Sequence, residues 1–325
     1  MNNILAKYKN GNYYVTLFED GTKIIENDLY YIEADYPDNF DCKITNYCPM
    51  NCPMCHEKST IDGKHADLNQ EFFKSLHYGT EIALGGGMVT SHPDLVKFLK
   101  QLKQQGVFPN ITVHQNELQN KWDFIKDLVN QKLIYGLGVS FHHEDDEFWS
   151  KAIKEFPNMV IHLIAGYHPI RDFKYLVKWS PKILILGYKN FGRGKDYIHN
   201  KMDLIQYHIE MLERVLFKPS FETQEEYEKY LDPITKTLKE SPMFIEKFKV
   251  VSFDNLALEQ LHIKNHISKQ DWESFYQGED GTRTMYIDAV KQQFARTSTS
   301  EKRYSVLNNI DDMFDIIKKE KENAL

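Results

Sequence analysis

The chain has 325 residues, of which 42% are hydrophobic and 13% aromatic, enough to bury one full core and to carry a small added subdomain. Its net charge of -7 and isoelectric point near 6.0 argue against broad binding of polyanions. The amino terminus is polar and no run approaches the roughly 18 apolar residues of a membrane span, so we expect a cytoplasmic protein without a membrane partner.

The first 40 residues contain two β-rich runs with Asp20-Gly21 between them. Asp-Gly is among the strongest sequence signals for a tight β-hairpin turn, because both residues tolerate a positive φ. We therefore expect residues 1–40 to form an N-terminal β-hairpin that is appended to the main domain.

Residues 41–260 alternate between strand-like runs and helical stretches, which is the pattern of parallel β/α units. The segment 202–246 is rich in Glu, Lys, Leu and Tyr and is interrupted by prolines, so it predicts helices that flank these units. The predicted class is α/β, with strands at 42–47, 80–85, 110–115, 134–141, 158–165 and 181–187 and a seventh at 247–253.

Residues 261–325 differ from the preceding region. The run F-Y-Q-G-E-D-G-T-R-T-M-Y-I-D predicts a hairpin and a strand, and a last helix follows. We expect a small α+β extension that serves as a lid or a substrate platform. The apolar face of its helix would consist of Ile310, Met313, Phe314, Ile316 and Ile317.

All four cysteines lie within fourteen residues, and Cys48, Cys52 and Cys55 have the spacing C-x3-C-x2-C. Iron-sulfur clusters are normally held by four cysteine thiolates, so three on one loop leave an iron free to bind a small molecule. The alternative is a structural Cys3His zinc site that includes His56. Zinc ligands usually come as two separated pairs, which favours the cluster. The fourth cysteine, Cys42, is predicted to be a buried structural thiol.

Two motifs together resemble the radical S-adenosylmethionine (radical SAM) superfamily. The cysteine loop follows the run D-C-K-I-T-N-Y, and about thirty residues after it the stretch E-I-A-L-G-G-G reads as a strand and a glycine turn. The resemblance implies a partial (β/α)6 barrel as the radical SAM core over residues 41–260. It also implies a [4Fe-4S] cluster on the three cysteines and S-adenosyl-L-methionine (SAM) as the second cofactor.

The glycine turn is similar to the superfamily's Gly-Gly-Glu motif, which holds the methionyl amino group of SAM. This similarity implies that Gly85, Gly86 and Gly87 bind SAM. Gly87 stands where the family has a glutamate, so we expect backbone carbonyls of the turn to replace the missing carboxylate. Met54 stands in the usual aromatic position before the last cysteine, and a thioether can also pack on an adenine ring.

Further SAM contacts are expected after the later strands, because the active site of such a barrel gathers at the carboxyl ends of its strands. Asn116 and Ser140 match positions where the family often places a polar residue near SAM, although either could be a locally satisfied turn residue. Gly166 would let the adenine approach the backbone. Arg193 could bind the carboxylate of SAM, or a carboxylate or phosphate of the substrate, or lie in a solvated turn.

The resemblance also implies a reaction. The reduced cluster would cleave SAM to methionine and a 5'-deoxyadenosyl radical, which abstracts a hydrogen atom from the substrate. An electron donor such as flavodoxin or ferredoxin is therefore an expected partner. No catalytic acid or base is predicted, because radical initiation belongs to the cofactors.

The substrate is left open by the sequence. The order of the C-terminal segment resembles the SPASM extension of peptide-modifying members, without its cysteines, which slightly favours a peptide or protein. A nucleotide or nucleic acid is the alternative, suggested by Lys189, Arg193 and Lys195 in the glycine-punctuated loop after the sixth strand. A non-catalytic sensor that binds the cluster or SAM is the third candidate.

Overall fold

The computed structural model describes residues 3–29, 31–216, 244–276 and 278–322. Near the amino terminus, three antiparallel strands form a small sheet. Asp20 and Gly21 lie in the turn that joins its second and third strands, and a further strand precedes them. The strands are β1 (Ile4–Asn10), β2 (Tyr13–Phe18) and β3 (Lys23–Glu26).

The described residues place ten strands in a second sheet, and seven of these are parallel and follow one another in chain order. The order across the sheet is β10-β9-β8-β7-β6-β5-β4-β11-β12-β13. The parallel strands are β4 (Asn39–Thr45), β5 (Glu81–Gly86), β6 (Phe108–His114), β7 (Gly136–Ser140), β8 (Met159–Ile164), β9 (Lys182–Leu186) and β10 (Val250–Phe253).

The C-terminal strands continue this sheet. The first of them pairs in parallel with β4, and the other two are antiparallel to their neighbours. The C-terminal segment is therefore built onto the edge of the large sheet beside the first parallel strand. These strands are β11 (Thr284–Asp288), β12 (Gln293–Ala295) and β13 (Tyr304–Ser305).

Helices connect most of the parallel strands, as expected for β/α units. None of the helices among the described residues is both long enough and apolar enough to cross a membrane. They are α1 (Leu95–Gln105), α2 (Gln115–Asn120), α3 (Trp122–Asn130), α4 (Asp146–Glu155), α5 (Ile170–Leu176), α6 (Arg193–Leu216), α7 (Asn255–Gln260), α8 (Lys269–Phe275) and α9 (Ile310–Glu322).

One face of the parallel strands is apolar and packs into the main core. Along each strand its side chains alternate with residues of the opposite face, and the β-branched and leucine side chains of β6 to β9 on this face are at most 3% exposed. Side chains of the connecting helices, such as Leu99 and Trp149, belong to the same core. The strand residues on this face include Ile111, Val113, Leu137, Val139, Ile161, Leu163, Ile183 and Ile185.

The opposite face carries polar and small residues on β6 and β7, with His162 on β8, whereas β9 places Leu184 and Leu186 there. A Cβ added to Gly138 would contact the His162 ring and the Thr112 hydroxyl, so these three positions share this face. Contacts also join segments that are far apart in the strand order. Asn255, just after β10, donates to the Asp280 carboxylate at 2.7 Å, although Asp280 precedes β11, which β5 to β9 and β4 separate from β10 in the strand order.

The predicted α/β class agrees with this large, mostly parallel sheet. All seven predicted strands are present, with ends that differ by a few residues from the predicted ones. The predicted last helix is α9, and Ile310, Met313, Phe314 and Ile317 on its predicted apolar face are buried. Of the helices predicted over 202–246, α6 covers the beginning, and residues 217–243 lie outside the described part of the chain.

Candidate functional site

The cysteine loop begins where β4 ends, on the edge of the sheet formed by the carboxyl ends of the parallel strands. The Cys48 amide donates to the Thr60 carbonyl at 2.8 Å, and the Cys55 amide donates to the Cys52 carbonyl at 3.3 Å. The Thr60 amide returns to the Asn46 carbonyl at 3.1 Å, which closes the loop on itself. All three cysteines are free and partly exposed.

The three thiols influence one another. Burial raises the pKa of Cys52 to about 11, and the nearby Cys55 and Cys48 thiols add to this shift. Burial also raises the pKa of Cys48. Within the ranges that the structure describes, no three His, Cys, Asp or Glu side chains are placed so that they could already hold a metal ion. The donor set nevertheless suits iron, because three free thiols on one loop can all bind as thiolates.

Cys42 lies outside this group. It is 1% exposed on the apolar face of β4, between the buried Phe40 and Ile44. Burial raises the pKa of its thiol well above the ordinary value. The prediction of a buried structural thiol is confirmed.

The glycine turn after β5 packs directly against the start of the cysteine loop. The Gly87 amide donates to the Thr45 carbonyl at 2.8 Å, and the next amide, of Met88, donates to the Tyr47 carbonyl at 2.7 Å. A Cβ on Gly87 would overlap the Tyr47 carbonyl oxygen, and Gly86 has a φ of +109°. Gly87 therefore has no room for the glutamate side chain of the related motif, whereas a Cβ on Gly85 would meet open space.

Arg193 lies at the start of α6 and binds the cysteine loop. Its Nε donates to the Cys52 carbonyl at 2.9 Å, and its Nη1 donates to the Ser59 carbonyl at 2.9 Å. Its backbone amide donates to the Cys55 carbonyl at 3.0 Å. Two of the five N–H donors of the side chain thus bind the loop, and the predicted contact with a carboxylate or phosphate stays a prediction.

Ser140 ends β7 and is the register partner of His114 at the end of β6, and Asn116 follows two residues later in the first turn of α2. The Oδ1 atom of Asn116 is buried without a hydrogen-bond partner. Ser140 is half-buried, and its hydroxyl makes no hydrogen bond among the described residues. Because buried polar atoms are nearly always paired, an orphaned amide oxygen here fits a position that a ligand completes.

Gly166 follows β8 and has a φ of +80°. A Cβ there would contact the Ile205 side chain, and the Gly166 carbonyl accepts a hydrogen bond from His208 Nδ1 at 2.9 Å. Close packing of α6 therefore accounts for this glycine. The predicted approach of an adenine to its backbone stays a prediction.

A buried charged network beside the cysteine loop was missed by the sequence analysis. The Glu57 carboxylate accepts from Lys43 Nζ at 2.6 Å and from the Tyr286 hydroxyl at 3.2 Å, and it contacts His56 Nε2 at 3.3 Å. Lys43 Nζ also lies 3.5 Å from the Asp288 carboxylate. The position of Glu57 next to the cysteine motif could have drawn attention to it. Its connection to β11 could not be predicted, because no sequence pattern links the two segments.

Asp41 lies on the polar face of β4, next to this network in register. Its side chain is exposed to solvent, yet burial among surrounding protein raises its pKa, and the charge of Lys189 opposes that shift. The Asp41 carboxyl thus lies on the polar side of the sheet, accessible to solvent but surrounded by protein.

A cavity of about 760 Å³ lies in the C-terminal region, between α7, α8 and the loop after β12. Its wall includes Trp272 and Tyr276, whose rings stack with centroids 4.5 Å apart. The loop after β12 reaches toward the cysteine side of the sheet, because Ser298 Oγ accepts from Lys189 Nζ at 2.9 Å.

The fold matches solved structures, whereas no protein-family model and no curated protein matches the chain. Streptococcus suis SuiB bound to the precursor peptide SuiA has a TM-score of 0.52 and 13% identity, over 88% of this chain and 65% of that chain. SuiB bound to S-adenosylmethionine has a TM-score of 0.50 and 13% identity, over 87% and 66%. The chain thus spans 65–66% of the length of the SuiB chains that it matches. The likeness shows that this chain shares the fold of SuiB.

Proposed function

We propose that this protein is a radical SAM enzyme that acts on a peptide or protein. The observation that carries the proposal is the placement of three free thiols on the loop after the first parallel strand, with the glycine turn packed against that loop. The fold shared with SuiB, a protein solved with S-adenosylmethionine, supports this assignment. We further propose that the parallel strands form the partial (β/α)6 barrel of a radical SAM core.

Cys48, Cys52 and Cys55 would hold a [4Fe-4S] cluster, leaving one iron for SAM. The backbone of Gly85 to Gly87 would bind the SAM amino group, and Asn116 and Ser140 would complete their hydrogen bonds on the same ligand. The open space beside Gly85 and the orphaned Asn116 Oδ1 support this placement. When bound, the reduced cluster and SAM supply a 5'-deoxyadenosyl radical that abstracts hydrogen from the substrate.

The chain's own residues then have binding and positioning tasks. Arg193 holds the backbone of the cysteine loop from one side, which fixes Cys52 and Cys55 relative to α6. The apolar face of the sheet keeps the strands rigid, and the polar face offers a space enclosed by protein that limits side reactions of a radical. Electrons would come from a donor such as flavodoxin or ferredoxin.

A peptide or protein substrate is favoured over a nucleotide. SuiB was solved with a precursor peptide, and the 760 Å³ cavity beside the loop after β12 is large enough for several peptide side chains. The basic loop that suggested a nucleotide is largely engaged within the protein, because Arg193 binds loop carbonyls and Lys189 binds Ser298.

The test is formation of 5'-deoxyadenosine. The protein is reconstituted anaerobically with iron and sulfide, reduced with dithionite and mixed with SAM, and the products are separated by chromatography. We expect 5'-deoxyadenosine from the wild type and none from Cys52→Ala, which loses a cluster ligand.

Cys42→Ala is the matched control, because it removes a cysteine of the same strand-loop unit that points into the apolar core. It should retain product formation in the folded fraction. A fully loaded wild-type cluster that leaves SAM intact, with and without peptide, would instead support the sensor alternative.

A further inference from the structure

Glu57 connects the cysteine loop to the C-terminal strand β11. It follows Cys55 by two residues, and its side chain is only 13% exposed. The Tyr286 hydroxyl of β11 donates to its Oε1 atom at 3.2 Å. Lys43 Nζ, on β4, donates to its Oε2 atom at 2.6 Å.

Lys43 extends the connection to a second residue of β11. Asp288 is the register partner of Lys43, and its carboxylate lies 3.5 Å from the Lys43 ammonium. The Lys43 and Asp288 side chains are 4% and 8% exposed. The ammonium therefore lies between one carboxylate of the cysteine loop and one carboxylate of the C-terminal segment.

The charges in this network are paired with one another. The Glu57 carboxylate contacts Lys43 Nζ at 2.6 Å and His56 Nε2 at 3.3 Å, and Lys43 in turn contacts Asp288. A buried charge must keep its partners, because an uncompensated one is strongly unfavourable. Glu57 lies on the loop and not on a strand, so its bonds to Lys43 and Tyr286 hold the loop in place. The Lys43–Asp288 pair alone would only join β4 to β11.

Tyr286 is itself held from the far side. The Arg303 guanidinium lies 5.1 Å from the centroid of its ring, and an Arg303 Nη2 atom donates to the Ser298 carbonyl at 2.6 Å. The orientation of the phenol is thus fixed by the loop that follows β12. Its hydroxyl is presented to Glu57 as a fixed donor.

We propose that β11 is part of the iron-sulfur site. Tyr286 and Asp288 are positioning residues that hold the carboxyl end of the cysteine loop through Glu57 and Lys43, while Arg193 holds its middle. This goes beyond the proposed function, because it gives the C-terminal segment a direct part in cluster retention in addition to any handling of substrate.

Tyr286→Phe tests the proposal, because it removes one hydroxyl and preserves the ring under Arg303. Tyr175→Phe is the matched control. It removes a hydroxyl that donates to a carboxylate oxygen of Asp146 at 2.7 Å, on the surface and away from the cysteine loop. Two measurements are made on each variant: hydrogen exchange of residues 52–60 without iron, and the rate of iron loss to a chelator after reconstitution.

We expect both rates to rise about tenfold in Tyr286→Phe, as the loss of one hydrogen bond to a charged group predicts, and to stay unchanged in Tyr175→Phe. Asp288→Asn, which weakens the hold on Lys43, should shift both rates in the same direction. Exchange in strands β6 to β9 should not change in any of these variants.

Rates in Tyr286→Phe and Asp288→Asn equal to those of Tyr175→Phe would overturn the proposal. A uniform rise in exchange across β6 to β9 would also overturn it, since that result means a general loss of stability. If the wild type takes up no iron, the proposed function fails, while the exchange measurement still decides whether β11 positions the loop.

Discussion

The two faces of the large sheet are built from different residues, although the same strands supply both. On one face, isoleucine, valine and leucine side chains are at most 3% exposed and pack into the core. On the other face lie Thr112, His114, Ser140 and His162, with glycine between them. The apolar face needs only shape and hydrophobicity, whereas the polar face and its adjoining loops need particular atoms at particular places.

This difference separates two kinds of experimental outcome. A substitution on the apolar face should lower the free energy of unfolding and leave the chemistry of the folded molecules unchanged. A substitution on the polar face, or in the loops at its carboxyl edge, should change cluster or SAM binding with a smaller effect on stability. The following predictions test that separation in order of decreasing effect on stability.

Ile161→Ala should destabilise the protein by about 2–5 kcal/mol, because it leaves a cavity in a fully buried part of β8. Urea denaturation measures the loss. Thr112→Ser removes one methyl group from the half-buried polar face and should cost less than about 1 kcal/mol. Equal losses in the two variants would remove the distinction between the faces.

Arg193→Ala should destabilise the folded conformation of the cysteine loop. Each hydrogen bond that the guanidinium makes to a loop carbonyl contributes about 1.5–3 kcal/mol to that conformation. The readout is iron retained per chain after desalting, which should fall relative to the wild type. Lys195→Ala changes an exposed cation two residues away and should retain wild-type iron. If Arg193→Ala retained as much iron as the wild type, Arg193 would have no part in holding the cluster loop.

Gly87→Ala and Gly85→Ala should have different effects on stability and SAM affinity, although the two glycines are only two positions apart in the same turn. The first places a methyl group against the Tyr47 carbonyl and should cost about 1–3 kcal/mol of stability. The second points into open space and should leave stability within about 0.5 kcal/mol while lowering SAM affinity. Thermal unfolding and calorimetric SAM titration measure the two effects, and unchanged SAM affinity in Gly85→Ala would argue against a SAM contact there.

Asn116→Ala should leave stability unchanged or slightly raised, because it removes a buried oxygen that has no partner within the protein. If that oxygen binds SAM, affinity should fall about tenfold, the equivalent of one hydrogen bond. Equilibrium binding to the reconstituted protein measures this change. If Asn116→Ala bound SAM with wild-type affinity, the unpaired oxygen of Asn116 would not be a SAM contact.

Much of the fold was predictable because its signals are local. The parallel strands are runs of β-branched residues between helical stretches, and the Asp20-Gly21 turn and the apolar face of α9 are equally local patterns. Cys42 was correctly predicted to be buried because it lies six residues before Cys48 in the first strand, well below the loop. These features depend on residues within one element.

The site was predictable only in part, because several contacts join distant parts of the chain. Tyr286 meets Glu57 across 229 residues, and Arg193 meets Cys52 across 141. The partners of the Arg193 side chain depend on how the segment after β9 approaches the cysteine loop. The composition of neither segment specifies that approach. The glycine at position 166 likewise depends on how α6 packs against the turn after β8.

The central claim is that three cysteines hold an iron-sulfur cluster with one iron open to SAM. The most direct measurement is the iron and sulfide content of the reconstituted protein, together with its electron paramagnetic resonance spectrum after reduction, with and without SAM. We expect about four irons per chain, as in a [4Fe-4S] cluster, and a spectrum that changes when SAM is added. One zinc per chain without iron, or a cluster whose spectrum ignores SAM, would contradict it.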